Sequence, residues 1–187
     1  MNFSIVIPTW NRSELVEALL ESLYRERNRY QKGSTEVLIV DSSKDEEKKI
    51  IIGACKKYYA QYIEGDDSVR KKRNKGIRLA QFDHILFIDS DVTVEPGILD
   101  EYVEAYKNPY NVKLGGILGY TEFVGKKTFW WKLLENTSLV NSFSFARDYP
   151  FHSWTIGNNV SFKKSVLEEI GMFEENFPFK LGGDDLD

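Results

Sequence analysis

The chain is 187 residues long, 42% of them hydrophobic and 29% charged, and its formal net charge is −4. This length and composition are typical of one globular domain with a substantial core. The negative charge argues against a protein that binds nucleic acid by neutralising phosphates, so we expect no nucleic-acid partner. The single cysteine, Cys55, excludes an intrachain disulfide, and we expect it to pack in a helix rather than act as a nucleophile.

The first half of the sequence alternates short apolar runs with amphipathic segments. Apolar runs predict four buried strands at residues 3–8, 37–40, 62–63 and 84–88. Apolar residues at helical spacing, among them Leu15, predict a first helix capped by Asn11 or Ser13, and further helices at 45–61 and 69–80. Strands alternating with helices of this length predict an α/β fold, with a mainly parallel central sheet and flanking helices.

The second half is less regular. It predicts a helix at 98–107, a strand at 112–120, an amphipathic segment at 130–139, a strand at 155–162 and a short helix at 164–170. The aromatic side chains of residues 129–154 are explained by a buried core or by a wall that binds an acceptor. The sequence stops directly after an acidic cluster, without a closing element. We therefore expect residues 1–187 to form one domain that is truncated at its C-terminus.

Three predicted strands are followed by polar or acidic residues. These segments are Pro8-Thr9-Trp10-Asn11, Asp41-Ser42-Ser43 and Asp89-Ser90-Asp91. In parallel sheets, ligands bind beyond the carboxyl ends of the strands, near a switch in strand order. The sequence therefore predicts a ligand site at this edge of the sheet.

The segment Asp89-Ser90-Asp91 is the strongest candidate within that site. In an extended segment alternate side chains point the same way, so Asp89 and Asp91 are expected to converge. Two close carboxylates repel unless a cation lies between them, and Mg²⁺ or Mn²⁺ commonly binds one or two carboxylates together with substrate phosphates. The alternative is a solvated turn with an aspartate capping the next helix. The position after a buried strand favours the metal site.

A basic run at residues 70–75 precedes Gly76 and an apolar stretch. Charge runs are usually solvated helix faces, and that is what we expect of Lys71, Lys72 and Lys75. Arg73 and Asn74 differ, because they lie next to the apolar stretch. An arginine there can face a pyrophosphate with two parallel hydrogen bonds.

Two further features are open to more than one interpretation. Residues 182–187 consist of two glycines followed by three aspartates within four residues, a pattern that suits either a mobile catalytic loop or an exposed acidic terminus. His84 and His152 are expected to be structural histidines rather than ligands.

Five motifs together carry a family resemblance. SIVIPTWNR, EVLIVDSS, RNKGI, HILFIDSD and the run from GNNVSFKKS to GGDDLD resemble, in this order, the large inverting family of GT-A glycosyltransferases called family 2. The match spans essentially the whole chain. It implies a GT-A (Rossmann-like) nucleotide-sugar-binding fold.

The resemblance also implies roles for individual residues. The nucleotide pocket would be lined by Pro8, Thr9 and Asn11, with Asp41 near the base and Arg73 on the uracil or pyrophosphate side. The donor and metal motif would be Asp89, Ser90 and Asp91, of which Asp91 is the more direct metal ligand. The donor sugar and acceptor side would hold Gly157, Asn158 and Asp184, with Asp185 as the catalytic base. Two positions depart from the family pattern: many relatives have Asp where Ser42 stands, and Glu where Asp184 stands.

The predicted reaction is transfer of a sugar from a nucleoside diphosphate of the UDP, GDP or dTDP type to an acceptor hydroxyl. It proceeds with inversion, uses Mg²⁺ or Mn²⁺, and belongs to polysaccharide or glycan biosynthesis. The acceptor, whether glycan, lipid-linked or protein, is not identified. One alternative is a non-catalytic nucleotide-sugar-binding protein. The other is a sugar-phosphate nucleotidyltransferase, although such enzymes typically open with a glycine-rich loop that residues 8–12 lack.

The compartment follows from what the sequence does not contain. It has neither a secretory signal nor a stretch of about 18 apolar residues. We expect a cytoplasmic chain without a transmembrane segment, peripheral at most to the inner membrane face in the full-length protein.

Overall fold

A computed structural model describes residues 1–108, 115–126, 128–135 and 155–176. The strands of the described chain are β1 (Phe3–Thr9), β2 (Thr35–Asp41), β3 (Gln61–Glu64), β4 (His84–Ile88), β5 (Gly116–Leu118) and β6 (Asn159–Lys163). The helices are α1 (Ser13–Arg29), α2 (Asp45–Lys57), α3 (Val69–Leu79), α4 (Ile98–Lys107), α5 (Phe129–Glu135) and α6 (Lys164–Glu169). No helix in these ranges is long and apolar enough to cross a membrane.

The strands form one sheet in the order β3-β2-β1-β4-β6-β5. β1 pairs in parallel with β2 and β4, and β2 pairs in parallel with β3. β6 runs antiparallel to both β4 and β5. The α/β class and the mainly parallel sheet are thus confirmed. Because β2 lies on one side of β1 and β4 on the other, the strand order switches direction at β1.

Apolar side chains cover both faces of the sheet. Phe3, Ile5 and Ile7 of β1 point to one face and pack with α1, α2 and α4. Val6 points to the other face and packs with residues of α3 and α6. Strands buried on both faces need largely apolar sequences, which explains the apolar runs at residues 5–7 of β1 and 85–88 of β4.

Helix ends depart from the sequence-based prediction. The N-cap residue of α1 is Arg12, and its side chain makes no capping hydrogen bond. Instead, the Ser13 N–H donates to the carboxylate of Glu47 in α2 at 3.0 Å, so the predicted cap by Asn11 or Ser13 is wrong. α2 ends four residues early because Tyr59 is left-handed, with φ of 55°. Leu15 lies on the exposed side of α1, whereas Cys55 is buried in the core as predicted.

The later strands are shorter than predicted. β5 covers only Gly116–Leu118, and residues 112–114 of the predicted strand lie outside the described residues. β6 begins at Asn159 rather than at residue 155, because residues 157–158 form a turn. This turn reaches the end of β4, where the Asp89 N–H donates to the Asn158 carbonyl at 3.1 Å.

Candidate functional site

The candidate site lies where β1 and β4 separate at the carboxyl edge of the sheet. Pairing between the two strands stops at Val6 and Phe87, whereas β1 continues alongside β2 to the pair Thr9 and Asp41. Pro8 has no N–H to donate to a neighbouring strand. The topology thus brings the three polar segments to one edge, and the opening where the ends of β1 and β4 diverge is the crevice.

The segment after β2 is tied to the segment after β1. The Asn11 N–H donates to Ser43 Oγ at 2.7 Å, and Ser43 Oγ donates to Asp41 Oδ1 at 2.6 Å. Asp41 also accepts from the Ser43 N–H and from the Tyr62 hydroxyl. Burial and the Asp41 charge raise the pKa of Tyr62, so its hydroxyl stays a donor. Asp41 is fully buried, and both carboxylate oxygens already accept hydrogen bonds.

Lys72 is not part of a solvated helix face. Its side chain is 2% exposed, and the ammonium donates to the Thr9 carbonyl at 2.7 Å. The expected exposure is confirmed only for Lys71 and Lys75. The reason is helical spacing: Lys72 lies one turn before Gly76 and therefore on the face of α3 that packs against the sheet. Burial lowers the pKa of Lys72, and the neighbouring Asp41 opposes that shift.

Arg73 is held at the end of β4. It is 3% exposed, and its guanidinium lies 5.9 Å from the Phe87 ring centroid and 5.5 Å from that of Phe173. Its NH2 group donates to Asp89 Oδ1 and to the Gly157 carbonyl, both at 3.3 Å. The structure thus brings Arg73, Asp89, Gly157 and the adjacent Asn158 together.

Asp91 faces a different arginine. The Val92 N–H donates to the Asp89 carbonyl at 3.1 Å, so residues 89–92 form a turn, and the predicted extended geometry of this segment is wrong. Ser90 is buried in the turn at 3% exposure. Arg12 NH1 donates to Asp91 Oδ2 at 2.7 Å, with both side chains about half exposed. The β1–α1 loop therefore contacts the end of β4 across the crevice.

These carboxylates fit a divalent cation that is shared with a ligand. Within residues 1–108, 115–126, 128–135 and 155–176, no three His, Cys, Asp or Glu side chains form a metal-binding group. Asp91 is half exposed and already binds one cationic group, the Arg12 guanidinium. Mg²⁺ and Mn²⁺ accept one or two carboxylates when substrate phosphates complete their coordination. Asp89 and Asp91 are suitable ligands for such a site.

Asn74 connects α3 to the chain that follows α6. Its Nδ2 donates to the Phe173 carbonyl and to Glu175 Oε1, both at 2.8 Å, and its Oδ1 accepts the Phe173 N–H at 3.0 Å. This segment leads toward the acidic cluster. Asp184, Asp185 and His152 lie outside the described residues, so their predicted roles stay predictions. His84 packs against Tyr106 at the opposite edge of the sheet, as expected of a structural histidine.

The sequence-based prediction gave no individual role in this site to four side chains: Arg12, Ser43, Tyr62 and Lys72. Lys72 could have been found from its helical register with Gly76. Ser43 follows Asp41 by two residues, a spacing typical of a local aspartate turn. Arg12 and Tyr62 carry no such local signal, because their partners lie 79 and 21 residues away along the chain.

Comparison with known proteins identifies relatives of one kind. The sequence pattern described as glycosyl transferase family 2 matches residues 4–171. A hyaluronan synthase from Pasteurella multocida is 25% identical over 224 aligned positions, which cover 100% of this chain and 22% of that protein. Poly(ribitol-phosphate) beta-glucosyltransferase from Bacillus spizizenii is 27% identical over 175 positions, covering 90% and 26% respectively. The chain spans about a quarter of the length of these relatives.

Solved structures share the fold. S. aureus TarS 1-349 in complex with UDP superposes with a TM-score of 0.66 at 21% identity, covering 100% of this chain and 53% of that 1-349 chain. The mannosyltransferase PcManGT from Pyrobaculum calidifontis, in complex with GDP-Man and Mn²⁺, gives 0.64 at 20% identity, covering 98% and 49%. These neighbours have the GT-A fold, so the predicted GT-A fold is confirmed. With its fold, crevice and motif order in agreement, the chain belongs to glycosyl transferase family 2, a family of nucleotide-sugar-dependent glycosyltransferases.

Proposed function

We propose that residues 1–187 are one GT-A domain that binds a nucleoside-diphosphate sugar and transfers the sugar to an acceptor hydroxyl with inversion. The observation that carries this proposal is the crevice between β1 and β4. Asp41 and the β1–α1 loop lie on one side of it. Asp89 and Asp91 lie on the other side, where Asp89 pairs with Arg73 and Asp91 pairs with Arg12. Structural neighbours were solved with UDP, UDP-GlcNAc or GDP-Man and Mn²⁺, which supports a ligand of this class.

In this proposal the nucleoside lies over the ends of β1 and β2, near Pro8, Thr9, Asn11 and Asp41. Trp10, which is 60% exposed at the end of β1, offers an aromatic face beside that position. The diphosphate lies toward β4. Asp91, assisted by Asp89, would hold Mg²⁺ or Mn²⁺, which when bound supplies Lewis-acid stabilisation of the leaving diphosphate.

In this proposal two arginines of the chain also contribute to binding the donor. Arg12 is half exposed, and among the described residues its guanidinium is held by an exposed ion pair, an interaction that typically contributes no more than about 1 kcal/mol. It can therefore turn from Asp91 to a bound diphosphate at little cost. Arg73 keeps Asp89 and the Gly157 turn in place, so that Gly157 and Asn158 border the sugar.

The acceptor hydroxyl needs a base as it attacks the anomeric carbon. By the family resemblance that base is Asp185, with Asp184 beside it on the acceptor side. One carboxylate suffices for a single displacement, which inverts the anomeric configuration. The nature of the acceptor is left open by this proposal.

Calorimetry with UDP and GDP, with and without Mn²⁺, tests the donor site directly. We expect Mn²⁺ to strengthen nucleotide binding in the wild type, and Asp91→Ala to remove that strengthening. Glu101→Ala, an exposed carboxylate on α4, is the matched control and should behave as wild type. Metal-dependent binding that survives in Asp91→Ala would refute the assignment of Asp91.

Two assays separate the proposed enzyme from its alternatives. Release of free sugar from the donor distinguishes catalysis from binding alone, and release of pyrophosphate from a nucleoside triphosphate and a sugar phosphate would indicate a nucleotidyltransferase. Asp185→Asn should keep donor affinity and lose transfer by about 10²–10⁴-fold. Full activity in Asp185→Asn would show that Asp185 is not the base. Loss of transfer in Asp184→Asn alone would assign the role of the base to Asp184 instead.

A further inference from the structure

The buried ammonium of Lys72 is the feature of the site that packing explains least. Lysine is almost never fully buried unless it is paired, and burial of a charge disfavours folding unless hydrogen bonds compensate. An apolar side chain would fill the same space without that penalty. The ammonium nevertheless donates to the Thr9 carbonyl at 2.7 Å, with the side chain 2% exposed.

The surrounding backbone accommodates the lysine stem. A Cβ added to Gly65, the residue after β3, would come within 3.0 Å of Lys72 Cγ and of Val40 Cγ1. Gly65 itself is fixed, because its N–H donates to the Asp41 carbonyl at 2.6 Å. The stem therefore passes close to the backbone at the end of β3, where a residue larger than glycine would crowd it.

The ammonium acts where β1 and β2 end together. Thr9 and Asp41 are partners in the parallel ladder, and the Thr9 carbonyl accepts both the Lys72 ammonium and, at 3.4 Å, the Ser42 N–H. Asp41 provides the neighbouring negative charge. One cation thus fixes the backbone of both segments on which the nucleoside is proposed to lie.

Thr9 and Ser42, whose backbones meet at this contact, each carry a hydroxyl. Thr9 Oγ1 and Ser42 Oγ are both buried, and neither has a hydrogen-bond partner among the described residues. Buried polar atoms normally have partners, so two hydroxyls without a partner are candidates for binding a ligand. The backbone of both residues is fixed through the Thr9 carbonyl.

We propose that Lys72 is a positioning residue for the nucleoside half of the donor. It holds the ends of β1 and β2 so that the Thr9 and Ser42 hydroxyls can bind the nucleoside, and it does not contact the diphosphate. This inference rests on the proposed function, since it specifies one part of the same site.

A series of ligands that differ only in phosphate number tests the proposal. Dissociation constants for uridine, UMP and UDP with Mn²⁺ are measured by NMR titration or calorimetry, or for the guanosine series if the wild type binds that one. Lys72→Met is expected to weaken all members by the same factor, about tenfold. Lys71→Met removes an exposed lysine of the same helix and should change none of them.

The pattern of losses decides the outcome. A loss that grows from uridine to UDP and shrinks with added salt would show that Lys72 acts on the phosphates, and would overturn the proposal. So would unchanged affinity for the nucleoside. A lysine with only a structural role would lower the melting temperature of Lys72→Met while the folded protein kept its affinity.

A second variant keeps the test decisive if Lys72→Met fails to fold. Gly65→Ala keeps the lysine but crowds its stem at Cγ, which shifts the ammonium away from the Thr9 carbonyl, and it should produce the same uniform loss. Normal nucleoside affinity in Gly65→Ala would then refute the proposal. A wild-type chain that binds none of the uridine, guanosine and thymidine series would instead refute the proposed function, and the role of Lys72 with it.

Discussion

Substituting Gly76 by alanine should destabilise the protein, although alanine is the better helix former. Gly76 lies inside α3, and a Cβ there would come within 3.0 Å of Val6 Cγ2 and closer still to Val6 Cγ1. Alanine gains about 1 kcal/mol over glycine in a helix interior, whereas overpacking a buried contact costs about 1–3 kcal/mol. We therefore expect a net loss of up to about 2 kcal/mol. The strain would also move α3 away from β1, and with it Lys72 and Arg73.

Gly53→Ala provides the matched control for this prediction. Gly53 lies inside α2, and a Cβ there would meet nothing within 4 Å. Here only the helix-propensity gain remains, so the free energy of unfolding should rise by up to about 1 kcal/mol. Urea unfolding followed by circular dichroism measures both variants, and about 1 kcal/mol corresponds to roughly 2–4 °C in melting temperature. Equal stabilisation by the two substitutions would show that α3 does not pack on Val6 as described.

Three further predictions concern single side chains. Glu26 accepts the N–H groups of Gly97 and Leu99 and pairs with Arg29, contacts that outweigh burial and lower its pKa below 4.5. Glu26→Gln should therefore cost about 1–3 kcal/mol at neutral pH. This difference in unfolding free energy should persist above about pH 4.5 and vanish as the pH falls through the lower folded pKa; a pH-independent difference would contradict it. Burial raises the pKa of the Cys55 thiol to about 12, so thiol reagents should modify the native protein only as fast as local unfolding exposes Cys55. Equal modification rates in native and urea-unfolded protein would contradict this prediction. Arg12→Met should change the free energy of unfolding by less than about 1 kcal/mol. It should also raise the affinity for Mn²⁺ in the absence of nucleotide, because a competing cation is removed from Asp91. The EPR signal of free Mn²⁺ measures this affinity, and weaker Mn²⁺ binding would contradict the prediction.

Local patterns in the sequence were sufficient for the elements and for the edge at which the site lies. The bounds of β4 and α4 are as predicted, because an uninterrupted apolar run and helical spacing are properties of a few neighbouring residues. The alternation of strand and helix implied parallel pairing. Parallel pairing in turn places the ends of β1, β2 and β4 at one edge, whatever their order in the sheet.

What only the tertiary structure decided depends on residues far apart in the chain. The turn at residues 89–92 places Asp91 against Arg12, 79 positions earlier, and Glu47 replaces the expected cap of α1. Lys72 is the clearest case. A lysine in a basic run is usually solvated, and its burial here depends on β1 supplying the Thr9 carbonyl and on Gly65 leaving room for the stem. A charge can be buried only where distant segments supply its partners, and those segments meet only when the sheet has formed.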